Sequence, residues 1–230
     1  MAMLKCYLSS SKGNLYEVSD GKTRVLLECG VSFKNLQQLA GFRTGSWAGC
    51  LITHEHGDHA KAAKKLAERG VAIYATSGTL EALGLENSHK ARPLEYMKPV
   101  KIGSLTVMAF RTIHNAAEPC GYVITSERTE QSLMFATDTY KIPYRFVGLT
   151  EIAVEANHSE KMIDDSLPEV VLNRIRHSHL SLESCLEFLR AQDLSRLEKL
   201  TLVHLSRERA SAEEFRRVIE EELKIPVNIA

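Results

Sequence analysis

Short apolar segments alternate with polar turns along most of the chain, and their spacing separates predicted strands from predicted helices. Segments rich in β-branched and aromatic residues between clusters of Ser, Gly and Asp predict strands, as at 4–9, 15–18 and 23–28 near the N-terminus. Strands are predicted on the same grounds further along the chain. These later strands are 50–53, 71–75, 105–113, 121–126, 132–137, 152–155 and 200–204.

Helical spacing of apolar residues marks other segments. Helices are predicted around 33–40 and through 60–68. An apolar stripe at i, i+3, i+4 and i+7 begins at Leu182, and Ser211 with Glu214 forms a capping box that starts a further helix. Strands and helices alternate in two successive halves of the chain. This order predicts an α+β fold with sheets at the centre and helices outside.

The composition is that of a globular chain of enzyme size. Of the 230 residues, 44% are hydrophobic, and 29 Lys and Arg balance 29 Asp and Glu, so the formal net charge is zero. This apolar content excludes intrinsic disorder, and the charge balance argues against a strongly basic nucleic-acid-binding domain. No linker, low-complexity tract or repeat divides the sequence, so a single domain over 1–230 is predicted.

The sequence predicts neither a membrane span nor a secretory signal. No window approaches the roughly 18–20 apolar residues of a membrane span, and the N-terminus lacks the apolar core and cleavage site of a signal peptide. The five cysteines are scattered without a Cys-x-x-Cys pair, which favours buried free thiols in a reducing compartment. The predicted location is therefore the cytoplasm.

Three histidines and two carboxylates lie directly after the predicted strand 50–53, in the segment THEHGDH. Imidazole nitrogens and carboxylate oxygens are the ligands that Zn²⁺, Mn²⁺ and Fe²⁺ bind. In an extended segment His54 and His56 project to the same side and can share one metal, whereas Asp58 and His59 enter the next helix and can serve a second. A polar loop that is merely rich in histidine is the alternative, which this density of histidines disfavours.

The same segment matches the HxHxDH motif of the metallo-β-lactamase superfamily, and the chain resembles the YycJ-like (WalJ-like) branch of its metallohydrolases. Further matching segments follow one another along almost the whole chain. They are LSSSKGNLYEV, LLECGVSFKNL, TIHNAAEPCGYVI, MFATDTYKI, IAVEANHSEKM, HSHLSLESC and LVHLSRE. The resemblance implies a four-layer αββα sandwich with a dinuclear metal site at one edge.

The resemblance also implies two divalent metal ions, zinc or manganese with iron as a further candidate, and seven ligands for them. Three of these ligands, His114, Asp138 and His204, lie at or just after the ends of predicted strands, where side chains can converge. The first metal would be bound by His54, His56 and His114, the second by Asp58, His59 and His204, and Asp138 would bridge both.

Two catalytic roles follow from the same resemblance. Asp58 would orient a water that the two metals activate, and His179 in HLSLES would contact the scissile phosphate and protonate the leaving oxygen, as in nucleases such as ribonuclease J. Glu155 resembles an acidic residue that accepts a hydrogen bond from a metal-ligating imidazole, although an ordinary charged residue at a strand end is an equal alternative. Candidate substrate-binding residues are Asn157, His158 and Ser181.

Two features of the nuclease relatives are missing from this sequence. Only 66 residues separate Asp138 from His204, too few for the β-CASP domain that ribonuclease J-type enzymes insert there. The long Gly-rich arm of ribonuclease Z is not recognisable either. Basic residues occur only in local groups, such as Lys61, Lys64 and Lys65, whose helical spacing favours a solvated face over a phosphate-binding track.

The function predicted from these motifs is a metal-dependent phosphodiesterase, and the branch resemblance implies a 5′ to 3′ exonuclease acting on DNA. Alternatives are hydrolysis of a cyclic nucleotide or other small phosphodiester, and hydrolysis of a carbon ester, thioester or lactone, in which His179 would have no role. A binding module without catalysis is disfavoured because every ligand position holds a competent residue. Bound metals would add positive charge where a phosphate must bind, so zero net charge is compatible with a nucleic-acid substrate.

Overall fold

The structure is a computed structural model that describes residues 3–42, 44–164 and 166–230. The chain divides into two compact units. Unit 1 comprises Met1–Arg111 and Ala116–Gln131, and unit 2 comprises Thr112–Asn115 and Ser132–Ala230. The single-domain organisation predicted from the sequence stays a prediction.

Unit 1 contains a six-stranded sheet whose strands follow chain order. The first three strands are antiparallel neighbours, and each of the last three is parallel to the strand before it. The strands are β1 (Leu4–Ser10), β2 (Gly13–Ser19), β3 (Arg24–Leu27), β4 (Gly49–Leu51), β5 (Ile73–Thr76) and β6 (Ala91–Leu94).

Four short helices of unit 1 connect these strands. They are α1 (Phe33–Leu39), α2 (Gly57–Ala60), α3 (Ala63–Glu68) and α4 (Ser77–Ala82). Buried apolar residues of the sheet and the helices form one core, which includes Leu15, Leu26, Ile52, Leu66 and Ile73. Removing such side chains from water is the main stabilising term, at about 25 cal/mol for each Å² of apolar surface.

The segment 60–68, predicted as one helix, is divided between two helices in the structure, because Cys29 exchanges hydrogen bonds with the backbone at their junction. The Cys29 N–H donates to the carbonyl oxygen of His59 at 2.7 Å, and the Ala62 N–H donates to the carbonyl oxygen of Cys29 at 2.9 Å. These bonds replace the bonds that a continuous helix would make at the junction. They also fix the end of α2, the helix that contains the predicted metal ligands Asp58 and His59.

The remaining strands form two further groups, one in each unit. In unit 1, β7 (Pro99–Ile102), β8 (Leu105–Arg111) and β9 (Cys120–Ser126) are antiparallel neighbours. In unit 2 the neighbouring strands are parallel, and helices follow them. These elements are β10 (Ser132–Ala136), β11 (Glu151–Glu155), β12 (Lys199–Val203), β13 (Val227–Ile229), α5 (Glu169–Ser178), α6 (Leu182–Arg190) and α7 (Ala212–Leu223).

Most predicted elements are present in the structure, and the elements that the sequence did not predict are β6, β7, β13, α4 and α5. The missed strands β6 and β7 each contain a proline, a residue that strands accept mainly at edges and first positions. The missed helix α5 exposes 82% of Val170, so its apolar residues do not form a regular buried stripe. The predicted capping box is confirmed at the start of α7, where Ser211 accepts a hydrogen bond from the Glu214 N–H.

No helix in the described parts of the chain has both the length and the apolar content needed to cross a membrane.

Candidate metal centre

The histidine-rich segment lies between β4 and α2, and neighbouring backbone holds it in place. The Cys120 N–H donates to the carbonyl oxygen of Thr53 at 3.0 Å, and the Tyr122 hydroxyl donates to the carbonyl oxygen of Ile52 at 2.6 Å. Glu55, the other carboxylate of the segment, accepts a hydrogen bond from the Ala117 N–H at 2.8 Å. Glu55 therefore has a structural partner within unit 1.

His54 and His56 point nitrogen atoms at one another. Nε2 of His54 lies 3.1 Å from Nδ1 of His56, and the two ring centroids are 4.6 Å apart. The other ring nitrogen of His54 contacts the Thr53 hydroxyl at 2.9 Å. Two imidazole nitrogens this close either share a proton or bind one cation, which is the arrangement that the period-two spacing of these histidines predicts.

His59 is completely buried, and both its ring nitrogens have polar neighbours. Nε2 lies 3.3 Å from Oδ2 of Asp58 and 3.2 Å from the amide nitrogen of Asn14, while Nδ1 lies 3.5 Å from Oε1 of Glu28. A carboxylate beside Nδ1 favours the tautomer with its proton there, which leaves the lone pair of Nε2 for a metal.

Glu28 and Asn14 are site residues that sequence reasoning did not identify. Glu28 follows β3, has φ of 64° and is completely buried. Burial raises the pKa of its carboxyl above the ordinary glutamate value, although His59 acts to lower it. Asn14 donates from its amide nitrogen to the carbonyl oxygens of Ser10 and Asp58. Two features of the sequence could have identified them. Glu28 is a charged residue that directly follows the apolar run VLL, and Asn14 lies in the turn SSSKGN.

In unit 2, the Glu155 carboxylate is the centre of a hydrogen-bonded group. Its Oε1 lies 2.7 Å from Nδ1 of His179 and 3.1 Å from Nδ1 of His204. Its Oε2 accepts the N–H groups of Thr139 and Leu180, both at 3.2 Å. An ionised carboxylate only accepts hydrogen bonds, so each of these Nδ1 atoms must bear a hydrogen. In both rings Nε2 then lies on the side of the imidazole that faces away from Glu155.

Charges within this group shift the pKa of its members. Burial alone would raise the pKa of Glu155, but the charge and hydrogen bond of His179 and the hydrogen bond of His204 lower it below the ordinary glutamate value. Burial likewise acts to lower the pKa of His179, but Glu155 and Asp138 raise it above the ordinary histidine value. The pair therefore favours an imidazolium next to a carboxylate.

Asp138 lies at the edge of the same group, in a backbone conformation that non-glycine residues rarely adopt. Its φ is 50°, and His204 has φ of 56°. The Thr137 hydroxyl donates to Oδ2 of Asp138 at 2.8 Å, and Oδ1 lies 3.5 Å from Nδ1 of His179. One ligand atom from each of four side chains lies within 4.8 Å of the others. These side chains are Asp138, Glu155, His179 and His204.

His114 is held by a partner that the sequence did not reveal. Its Nδ1 lies 2.9 Å from the carbonyl oxygen of Ser178, so Nδ1 bears the hydrogen, and Nε2 lies 3.9 Å from Oδ1 of Asp138. Burial lowers the pKa of His114, which favours the neutral imidazole that metals bind. Ser178 is the last residue of α5, a helix that the sequence did not predict.

The three candidate substrate-binding residues all have roles inside unit 2. Asn157 donates from its amide nitrogen to the carbonyl oxygen of His204 at 2.9 Å, which supports the strained backbone there. Ser181 caps α6 by accepting the Ser184 N–H at 3.1 Å. His158 is buried, its Nε2 lies 3.6 Å from Oε1 of Glu160, and burial lowers its pKa.

The predicted basic group at Lys61, Lys64 and Lys65 is exposed on and next to α3. Lys65 forms an ion pair with Glu68 at 2.7 Å, one helical turn along. This pairing fits the solvated face that the spacing favours.

Both units present donors that suit a transition metal. Unit 1 offers imidazole nitrogens and the Asp58 carboxylate, and unit 2 offers His114, His204 and Asp138. Several of the imidazoles have one nitrogen engaged by a carbonyl or carboxylate group, which orients the other nitrogen as a ligand. These His and Asp clusters are able to bind metal ions.

Comparisons with known proteins agree with this donor set. Residues 23–205 match the family model described as a beta-lactamase superfamily domain. Exodeoxyribonuclease WalJ of Streptococcus pneumoniae serotype 2 (strain D39 / NCTC 7466) is 28% identical over 219 residues, covering 87% of this chain and 80% of that protein. Exodeoxyribonuclease YycJ of Bacillus anthracis is 28% identical over 167 residues, covering 67% of this chain and 62% of that protein. Both names confirm the resemblance stated from the sequence motifs.

A solved structure is similar over nearly the whole chain. The metallo-beta-lactamase fold protein YhfI of Bacillus subtilis superposes with a TM-score of 0.76 at 16% identity, covering 99% of this chain and 95% of that one. The predicted α+β sandwich of the αββα class is confirmed by this similarity. The chain therefore belongs to the beta-lactamase superfamily and is a hydrolase with the metallo-β-lactamase fold.

Proposed function

We propose that this hydrolase is a metal-dependent phosphodiesterase that degrades DNA as a 5′ to 3′ exonuclease. The observation that supports phosphodiester chemistry best is the contact between His179 and Glu155, beside Asp138. It holds an imidazole with a raised pKa next to a group of metal-binding side chains. A group that donates a proton to a leaving oxygen at neutral pH needs such an environment. The names of the two relatives favour DNA as the substrate.

The proposed cofactors are two divalent ions, zinc or manganese. Their ligands are those that the sequence motifs assign: His54, His56, Asp58 and His59 from unit 1, and His114, Asp138 and His204 from unit 2. When bound, such ions supply Lewis acidity that brings the pKa of water near neutrality and stabilises negative charge on phosphate oxygens.

Asp58 is proposed to orient the attacking water. Its side chain is 27% exposed, whereas the neighbouring His59 is fully buried, so Asp58 can accept a hydrogen bond from a water molecule. The Asp58 carbonyl oxygen accepts a hydrogen bond from Asn14, which fixes the backbone that holds this carboxylate. Orientation of the nucleophile lowers the barrier by removing the entropy cost of alignment.

His179 is proposed to donate a proton to the leaving oxygen through Nε2. Its Nδ1–H is directed at Glu155, so the imidazole cannot rotate away without losing that bond. The side chain is 25% exposed, which leaves part of the ring accessible to substrate. The negative charge of Glu155 then stabilises the protonated form until the proton is transferred.

The proposal is tested with a blunt duplex labelled at its 5′ ends and incubated with Mn²⁺-loaded protein. Early release of labelled mononucleotide, while the rest of the duplex stays long, is the expected result. A matched duplex labelled at its 3′ ends should release its label last. An intact duplex together with hydrolysis of a cyclic nucleotide, a thioester or a lactone would contradict the exonuclease proposal.

A further inference from the structure

Two neighbouring cavities lie within unit 2, and His179 lines the first of them. The first has a volume of about 230 Å³, and its lining includes His179, Tyr140 and the ion pair of Arg176 with Glu160. The second has a volume of about 290 Å³ and is lined by the segment 140–145 and by one face of α6. Tyr140 and Ser184 line both cavities, so the two are neighbours, and together they are called here the Tyr140 groove. Its size is near that of cavities that hold small organic ligands.

The groove has aromatic walls. Tyr140 exposes 39% of its surface, and its ring lies 5.2 Å from the ring of His177 at an interplanar angle of 34°. Tyr144 lines the second cavity, half-buried, with its ring 6.0 Å from that of Phe146. Exposed aromatic rings that line a groove are the surfaces on which nucleobases stack, and stacking tolerates any base because each has a flat π face.

Hydrogen bonds connect Thr139 and Tyr140, at the start of the segment that lines the groove, to Glu155 and to neighbouring backbone. The Thr139 N–H donates to Glu155, and the Thr139 hydroxyl donates to the carbonyl oxygen of Lys141 at 2.9 Å. The Tyr140 N–H donates to the carbonyl oxygen of Ile113 at 2.9 Å. Thr139 and His179 both contact Glu155, so Tyr140, the neighbour of Thr139, is held at a fixed position relative to His179. A segment held in this way loses little entropy when a ligand binds.

The buried side chain of Gln192 holds the end of the groove-lining segment at Tyr144 and Phe146. Its side-chain oxygen accepts the Phe146 N–H at 2.9 Å, and its amide nitrogen donates to the carbonyl oxygen of Tyr144 at 3.1 Å. These two hydrogen bonds position the backbone of the segment 140–146, which has no regular secondary structure.

Two basic residues line the second cavity, and both are exposed. They are Lys141 and Arg145, and Glu187 is the acidic residue in the same lining. Flexible cations beside an aromatic surface are the combination that binds single-stranded nucleic acid, because they neutralise phosphates on either side of a stacked base. A lactone offers neither a base nor a chain of phosphates.

We propose that the Tyr140 groove binds the nucleoside next to the scissile phosphate, with its base stacked on Tyr140 and the adjoining phosphates near Lys141 and Arg145. This rests on the proposed nuclease function and extends it, because it assigns a base-binding, sequence-tolerant subsite to residues of the 140–145 segment. The first cavity, beside His179, holds the sugar and phosphate, and the second holds the continuing strand.

The test uses single-stranded oligonucleotides that contain 2-aminopurine at the first or second position from the 5′ end, mixed rapidly with metal-loaded full-length protein. Stacking on Tyr140 quenches 2-aminopurine emission at one of these positions before hydrolysis begins. In Tyr140→Ala the affinity should fall about 5- to 140-fold, the range for loss of one base–aromatic stack. Tyr140→Phe should restore it, since the ring stays.

Val147→Ala is the matched control, because Val147 lies on the same loop, is 87% exposed and does not line either cavity. It should bind as the wild type does, and all three variants should keep the wild-type melting temperature. Cleavage rates should also distinguish the wild type from Tyr140→Ala. Replacing the stacked base by an abasic residue should lower the cleavage rate of the wild type but not that of Tyr140→Ala.

The outcomes separate the groove from the nuclease function. If Tyr140→Ala binds and cleaves DNA as the wild type does, the groove proposal is wrong while the nuclease proposal stands. Quenching that depends on Tyr140 without any cleavage would support the groove and contradict the nuclease. Cleavage without quenching at either position would also overturn the groove.

Discussion

Nδ1 of His179 lies 2.7 Å from Oε1 of Glu155, and this contact determines both the tautomer and the charge of the imidazole. The same carboxylate oxygen lies 3.1 Å from Nδ1 of His204, a proposed metal ligand. One buried carboxylate thus links the proposed proton donor to the proposed metal centre. Its backbone position at the end of β11 keeps that link rigid.

Replacing Glu155 by Gln should lower kcat about 10- to 100-fold, the usual effect of removing a carboxylate that supports a metal-ligating imidazole. The negative charge of Glu155 raises the pKa of His179, so the neutral amide lowers it. His179 then loses its proton at a lower pH, so the basic limb of the kcat profile moves to lower pH. A pH profile measured with metal content determined at each pH tests this; an unmoved basic limb would contradict the role of Glu155.

His179→Ala should reduce phosphodiester cleavage about 10²- to 10⁴-fold, the contribution of a general acid, while two metal ions stay bound per chain. Metal analysis of the same sample separates the alternatives, because the His179 ring also lies within 4.8 Å of possible metal ligands. Loss of one metal would show that His179 is a ligand. Unchanged cleavage of DNA would show that it has no role in proton transfer.

Gly30→Ala should disrupt the metal-binding segment. A Cβ atom at position 30 would lie 1.6 Å from the carbonyl oxygen of Asp58 and 2.7 Å from the backbone nitrogen of His59, so backbone would have to move. We expect a loss of about 3 kcal/mol or more in the free energy of unfolding, with weaker metal binding. Gly57→Ala is the control, since no atom lies within 4 Å of its added Cβ. Its stability should change by about 0.5 kcal/mol at most, and equal effects of the two substitutions in a urea titration would refute this explanation.

Acid should weaken unit 1 through Glu17. Burial acts to raise the pKa of this carboxyl, but hydrogen bonds from Arg24 and Trp47 lower it below the ordinary glutamate value. A lowered folded-state pKa contributes stability above the ordinary value of about 4.3, and this is lost as pH falls through the folded pKa.

Glu17→Gln should therefore flatten the dependence of unfolding free energy on pH in this acidic range, by about 1 kcal/mol at most. Trp47 is the sole tryptophan and is buried beside Glu17, so its emission reports unfolding directly. The exposed Glu86→Gln is the comparison. Parallel pH curves for wild type and Glu17→Gln would contradict the prediction.

Only some of the proposed site residues have a signal that is local in the sequence. His54, His56, Asp58 and His59 lie in one short segment after an apolar strand, so density and spacing alone point to a metal centre. Glu28 could not be found this way, because its contact with His59 joins residues far apart in the chain and depends on the fold. Tyr140 lies in an irregular loop, where neither of the regular periodicities applies.

The fold shows the same division. Strands with continuous apolar runs, such as β10 with every residue buried, were predicted within a residue or two. The edge-like strands β6 and β7 were missed because their burial is incomplete and each contains a proline. The break between α2 and α3 was missed because Cys29, a residue of another segment, supplies the competing hydrogen bonds.

The most direct test of the proposed metal-dependent phosphodiesterase is a metal titration of chelator-treated protein, with duplex hydrolysis and bound metal measured on the same sample. Hydrolysis should be absent without metal, rise as Mn²⁺ is added and reach its maximum at two bound ions per chain. Hydrolysis of the duplex by metal-free protein, or an intact duplex at full metal occupancy, would contradict it.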